Sequence, residues 1–170
     1  MNYRHAYHAG NHTELLKHTA LILILRHLQQ KPKPFFVLDT HAGIGAYDLR
    51  SDKAQKTREA EDGVLRLARQ ATGDFVLLDM VRAFNGDAEI TRYPGSPAIV
   101  RAHLREKDRL VAAELHPMDV QALRRAMAGD DRILVQHRDG YEAMKALLPP
   151  PERRGLVFIE SGLPGFGQEK

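Results

Sequence analysis

At 170 residues the chain is long enough to bury one sizeable core, and its 43% apolar content is ordinary for a soluble protein, so one globular domain is expected. Its 25 lysines and arginines exceed its 22 aspartates and glutamates, and the pI of about 9.3 tilts the reading toward a polyanionic partner such as RNA. The absence of cysteine excludes a disulfide framework and a thiolate metal site, and suits a reducing compartment. Met1-Asn2-Tyr3-Arg4-His5 lacks the apolar core of a signal peptide, and Leu21-Ile22-Leu23-Ile24-Leu25 is too short to cross a bilayer. A cytoplasmic protein with no membrane partner is the expectation.

Residues Tyr3 to His12 are rich in aromatic and imidazole groups and hold little that would build a core. One reading places His5, His8 and His12 on a helical face that binds a metal, against which stand Gly10-Asn11 and the lack of an accompanying carboxylate or cysteine. A second makes the segment an arm whose Tyr3, Arg4 and histidines stack on bases or meet phosphates; a third leaves it a solvated tail. Thr13 to Gln30 reads as a helix buried on most sides, capped by Thr13 or Asn11, with Glu14 near the positive end of its dipole. Lys31-Pro32-Lys33-Pro34 stops it.

Next comes the stretch on which the rest depends. Phe35 to Asp39 is an apolar run ending in an acid, and it breaks into Thr40-His41-Ala42-Gly43-Ile44-Gly45. A buried strand that stops in a Gly-x-Gly loop brings backbone N–H groups close to a nucleotide-like ligand, although a bland tight turn has the same local pattern. Tyr47 to Arg92 is polar, with helical spacing around Val64 to Ala68 and Phe75 to Leu78, and reads as a small helical insertion. The acidic partner of a first glycine turn usually follows after about twenty residues, whereas Glu114 lies about seventy beyond Gly43, so roughly fifty residues are inserted. Tyr93-Pro94-Gly95-Ser96-Pro97 opens a helix from Ala98 to Leu104, with the Ser96 hydroxyl as a candidate cap and helix start as an anion-favouring position.

Arg109 to Glu114 is the second strand of the core, and an acid at such a strand tip commonly accepts from ribose hydroxyls, a solvated carboxylate being the alternative. A helix from Met118 to Met127 and a strand at Ile133-Leu134-Val135 lead to Arg138-Asp139-Gly140. There Asp139 is placed to accept from an exocyclic amine, with Gly140 leaving room for a purine; an ordinary turn is the alternative. Tyr141 to Leu148 is a short helix ended by three prolines, and Gly155 to Glu160 is the last strand.

With these stretches in hand, the chain resembles the RlmJ family, bacterial methyltransferases acting on N6 of an adenine in large-subunit (23S) ribosomal RNA. The resemblance rests on Tyr3-Arg4-His5, His8-Ala9-Gly10-Asn11, Leu16-Lys17-His18, Leu38-Asp39-Thr40-His41-Ala42-Gly43, Tyr93-Pro94-Gly95-Ser96-Pro97, Glu114-Leu115-His116-Pro117, Asp139-Gly140 and Arg153-Arg154-Gly155-Leu156. It implies an α/β, Rossmann-like class I methyltransferase fold with S-adenosylmethionine as donor and 23S rRNA as acceptor. The core is expected over residues 1–46 and 93–160, the helical insertion over 47–92, and a divergent tail over 161–170. Carried over by position, His18, His41, Ser96, Glu114, Asp139 and Gly140 surround the cofactor, Tyr3 touches RNA, and Lys17 lies close by.

The match is to the N-terminal part of the family pattern only, and it departs at one place. Where the family has Asp-Pro-Pro-Tyr, this chain has Glu160-Ser161-Gly162-Leu163. Glu160 stands at the position of the family's catalytic acid with a side chain one methylene longer, and the prolines and the tyrosine that stacks on the flipped base are absent. The family pattern also continues beyond this point, so the strand at Leu156 to Ile159 is expected to show an apolar edge, to be covered by a missing C-terminal half or another chain. The tail from Glu160 is expected to be an out-of-frame reading of the family motif, which sequencing the gene would test. Two functional readings follow: an N6-adenine rRNA methyltransferase, or a catalytically impaired module that binds the cofactor or RNA. A nicotinamide-dependent dehydrogenase fits the first turn but neither the distance to Glu114 nor the Tyr-Arg-His arm.

Overall fold

The computed structural model describes residues 8–160, so the expectations for Tyr3 and for the tail 161–170 lie outside the described residues. The core elements are α1 (His12–Gln29), β1 (Phe36–Asp39), α6 (Ser96–His103), β4 (Arg109–Glu114), α7 (Pro117–Met127), β5 (Ile133–His137), α8 (Gly140–Leu147) and β6 (Gly155–Phe158). Between β1 and α6 run β2 (Ala46–Asp48), α2 (Asp52–Thr57), α3 (Glu59–Asp62), α4 (Val64–Gln70), α5 (Val76–Phe84) and β3 (Arg92–Pro94). No described helix is long and apolar enough to cross a membrane.

The core strands form one parallel sheet in the order β5-β4-β1-β6. Leu38 stands opposite Val111 on one side and Val157 on the other, which puts the C-terminal ends of all four strands at one rim. β1 is buried at every position and apolar up to its terminal Asp39, as a central parallel strand covered on both faces requires. Val37, Leu110 and Ala112 face α1, α6 and α7, where they meet Ile22, Leu25, Ile99 and Leu123; Phe36, Leu38, Val111 and Ala113 face α8 through Ala143. Each fully buried leucine or isoleucine there contributes about 2 kcal/mol, enough to hold the loops at the rim. This is the α/β, Rossmann-like arrangement expected.

Several details differ from the sequence reading. α1 is buried on one side only: Leu21, Ile22 and Leu25 are inside, while Leu16, Leu23 and Ile24 are exposed. Its cap is Asn11, whose side chain accepts from the Glu14 N–H. The residues just before it do pack. His8 Nδ1 and Asn11 Nδ2 both donate to Glu59, and the Gly10 carbonyl accepts from Val64 N–H at 2.8 Å. A Cβ on Gly63 would lie 1.9 Å from that carbonyl, which accounts for glycine there, while Gly10 turns with φ +76°. No three-residue metal-ligating cluster occurs among the described residues, and His8 is engaged instead with a carboxylate.

The segment read as a helical insertion has a β-base as well as helices. β2 and β3 pair antiparallel, Tyr47 opposite Tyr93, at its entry and exit. At the start of α6 the cap is Gly95 and Ser96 is the first helical residue, with no side-chain capping bond, so the hydroxyl does not cap the helix as expected. Pro97 occupies the first turn, where its missing N–H costs nothing.

Candidate functional site

The rim at the C-terminal ends of β1, β4 and β5 is built around the loop after Asp39. Thr40 begins it, donating N–H to Phe158 O at 3.0 Å; its hydroxyl bonds the same carbonyl and lies 2.8 Å from His41 Nδ1. Ala42 N–H extends the β4 ladder by donating to Ala113 O at 3.0 Å. Gly43 then turns with φ +63°, a left-handed conformation in which a side chain is strained, and aims its N–H at Glu114 Oε2, 2.8 Å away. Glu114 Oε1 accepts from His116 N–H at 2.7 Å. One carboxylate therefore ties the glycine loop to the tip of β4 and the start of α7. Each of its oxygens keeps a second lone pair for a further donor.

The loop is fastened on its far side too. Gly45 has φ +81°, and its carbonyl accepts from Gly95 N–H at 2.9 Å, which brings Ser96 and the start of α6 against the loop. Behind this contact, His18 is buried in α1 and shares a 2.9 Å hydrogen bond between Nδ1 and the Tyr93 hydroxyl, the rings stacking at 5.6 Å. Burial first, and then the carboxylates of Glu14 and Glu160, push the Tyr93 phenol well above its ordinary value, so it remains protonated.

At the tip of β5, Asp139 caps α8, its Oδ1 accepting from the N–H groups of Tyr141 and Glu142 at 2.9 and 3.1 Å. Gly140 abuts β1 so closely that a Cβ there would lie 2.3 Å from Thr40 O. The Tyr141 ring meets the His41 ring edge-on at 5.9 Å and is about half exposed. Glu160 follows β6 on the other side of β1, and Lys17 of α1 pairs with its carboxylate; Lys17 Nζ also lies 3.8 Å from Glu14 Oε1.

The structure thus gathers His41, Glu114, Asp139 and Gly140 along the rim of three adjacent strands. Ser96 joins them through the Gly45–Gly95 contact, His18 stands behind the loop on Tyr93, and Glu160 closes the opposite side. Two residues escaped the sequence reading: Tyr93, as the partner of His18, and Tyr141. The signal for Tyr141 was an aromatic side chain directly after Asp139-Gly140 in a short helix, and for Tyr93 a tyrosine preceding a proline-glycine turn.

The residues at this rim suit an adenosine-bearing group. Glu114 and Asp139 are acceptors for hydroxyl and amine hydrogens, and Leu115, Met118 and Tyr141 stand exposed beside them, an apolar lining at a polar strand-end mouth.

Comparison with known proteins agrees with this architecture. Residues 32–169 match the family model described as "Ribosomal RNA large subunit methyltransferase D, RlmJ". The chain is 45% identical over 163 residues to the Ribosomal RNA large subunit methyltransferase J of Escherichia coli, and 43% identical over 164 residues to that of Haemophilus influenzae. Each alignment covers 94% of this chain but only 58% of the relative, so the chain spans a little over half the length of the curated proteins it matches. A crystal structure of protein LPL1258 from Legionella pneumophila superposes with a TM-score of 0.81 at 36% identity, covering 91% of this chain and 58% of that one. With four-fifths of its length matched by the family model and its sheet shared with a solved relative, the chain belongs to the RlmJ ribosomal RNA large subunit methyltransferase family.

Proposed function

We propose that the chain carries the cofactor-binding half of a methyltransferase acting on N6 of an adenine in 23S rRNA. The observation that carries the reading is the carboxylate of Glu114 at the β4 tip, holding the Gly43 N–H at 2.8 Å while keeping acceptor capacity toward the rim. S-adenosylmethionine supplies an electrophilic methyl group on a sulfonium. In this reading Glu114 receives the ribose hydroxyls, Asp139 the adenine amine through Oδ2, and the loop after Asp39 with His18, His41 and Ser96 lines the methionine end. The exposed Leu115 and Tyr141 exclude water from the faces of the base. Residues 47–92 form an insertion between the two parts of the core, and a cytoplasmic location follows from the rRNA substrate.

Glu160 stands where the acceptor amine would arrive. An ionised carboxylate there accepts an N6 hydrogen and turns the nitrogen lone pair toward the methyl carbon. Lys17 serves this role by pairing with the carboxylate and holding it in place. The same contact also supports a second reading, in which Glu160 is an anchor for α1 and the chain binds cofactor and RNA without transferring the methyl group.

Isothermal titration of the chain with S-adenosylmethionine, followed by a methyl-transfer assay on unmodified 23S rRNA, separates these readings. Binding that is weakened at least tenfold by Glu114→Gln supports the cofactor site, and binding indifferent to that substitution rules it out. Transfer abolished by Glu160→Gln supports a catalytic acid. Binding without transfer favours the second reading.

A further inference from the structure

A cleft of about 590 Å³ lies away from the strand-end rim, between α5 on one side and α6 and α7 on the other. Its floor is apolar and made deep by small side chains, Ala98, Ala102 and Ala126. Its rim is cationic: Arg92, Arg101 and Arg132 face a single acid, Asp130, leaving an excess of two positive charges. Asp130 is committed within the protein, accepting from Arg132 Nη2 at 2.7 Å and Arg101 Nε at 3.2 Å. Arg132 also donates to Leu104 O, and Arg101 Nη1 donates to Ala126 O at 3.0 Å. These bonds hold two guanidinium planes in fixed positions at the mouth of the cleft.

Arg92 is different. It lies over the Phe84 ring, its Cζ 4.8 Å from the ring centroid, and no described carboxylate pairs with it. A guanidinium lying on a phenyl ring is a planar cationic platform at the edge of an apolar floor. Such a platform matches a nucleobase, whose π face stacks while the adjoining phosphate meets the charge. A free inorganic anion would have no use for the apolar floor.

We propose that this cleft binds a single-stranded segment of the substrate RNA, with a base over the Arg92–Phe84 pair, its adjoining phosphate at the Arg92 guanidinium, and the neighbouring phosphates against Arg101 and Arg132. The proposal rests on the rRNA-methyltransferase reading and adds to it a second contact region on the far side of the glycine loop. Gly45 connects the two: its carbonyl holds Gly95 at the rim, while its own Cα faces α7 in the cleft, where a Cβ would lie 3.1 Å from Met127 Cε. RNA seated in the cleft therefore lies against the back of the loop whose front lines the cofactor site.

The test is fluorescence anisotropy of a labelled single-stranded RNA oligonucleotide, titrated with the 170-residue chain at several salt concentrations. Two variants are compared, Arg92→Gln and Ala102→Glu. Both side chains are exposed, so folding is retained, and an unchanged circular dichroism spectrum and S-adenosylmethionine affinity verify it. Arg92→Gln should weaken RNA binding several-fold and reduce the slope of log K against log salt by about 0.7, the loss of one phosphate contact on a single strand. Ala102→Glu places an anion on the floor and should weaken binding at least tenfold. Unchanged RNA affinity and salt slope in both folded variants overturn the proposal, as does a chain that binds no RNA; a partner protein would then be the occupant to seek. Loss of RNA binding in the variants of a chain that binds no S-adenosylmethionine would leave the cleft standing and refute the methyltransferase reading alone.

Discussion

Asp108 offers the sharpest test of how the sheet is held at the end opposite the site. Its carboxylate is 1% exposed and accepts four N–H groups: Phe35 N at 2.9 Å and Arg105 Nη2 at 3.0 Å on Oδ1, Arg105 N and Nε, each at 2.8 Å, on Oδ2. Arg105 in turn donates to the carbonyls of Lys31 and Lys33, so the proline linker, the start of β1 and the start of β4 share one anion. Asp108→Asn keeps the shape but turns one oxygen into an NH2 group. In either orientation that group faces two donors, so two charge-assisted bonds are lost and a buried N–H is left unpaired. At about 1.5 kcal/mol per bond, with a discount for the part-exposed guanidinium, the expected loss is about 2–3 kcal/mol.

Equilibrium urea unfolding followed by circular dichroism reads this loss at neutral pH, with the exposed Asp131→Asn as a near-neutral reference. Burial pushes the Asp108 carboxyl up, but the hydrogen bonds from Arg105 and from the Phe35 and Arg105 backbone outweigh it and hold the carboxyl below its ordinary range. The stabilisation is therefore present above the ordinary carboxylate pKa and is lost as the pH falls through the lowered value. Asp108→Asn should remove that part of the acid sensitivity. A loss below 1 kcal/mol, or an unchanged acid limb, would refute the idea that this carboxylate organises the strand starts.

Two further outcomes are expected. Gly140→Ala drives a methyl group into the fixed Thr40 backbone, 2.3 Å from its carbonyl oxygen, and should cost about 2 kcal/mol and weaken S-adenosylmethionine binding; an unchanged melting temperature contradicts it. The hydrogen bonds from Arg132 hold Asp130 at about 2, below its ordinary 3.8, so its pair stabilises the fold above that ordinary value and fails as the pH drops toward 2. Screening at the Arg101 and Arg132 guanidiniums, 37% and 31% exposed, leaves a contribution of about 1 kcal/mol. Asp130→Asn should show that loss at pH 7, shrinking to a small remainder by pH 2.

The sheet was readable because β1 and β4 are continuous apolar runs, a pattern that only burial on both faces produces, and because each ends in an acid and a turn. β2 and β3 were not readable. Three residues each, separated by more than forty positions, they carry no period, and their pairing is decided by Tyr47 and Tyr93 meeting in the core. The exposure of Leu16, Leu23 and Ile24 was equally hidden, since an apolar run says nothing about which neighbours arrive to cover it. At the site, the acids at the strand tips were legible as types in positions. Their actual bonds were not: that Glu114 holds Gly43, or that Asp139 caps α8, depends on backbone geometry brought together from distant segments.

The antiparallel pairing of β2 with β3 carries a consequence for how the molecule assembles. Closing the intervening excursion costs about 3 kcal/mol of chain entropy, more than so short a ladder returns on its own. The ladder therefore cannot form ahead of the contacts that share its cost, which are the packing of α5 beneath α1 and the bond from Val64 to Gly10. Nucleation of this region waits for α1, and native-state hydrogen exchange at Tyr47 and Tyr93 should slow and quicken in step with the amides of Leu21 and Ile22.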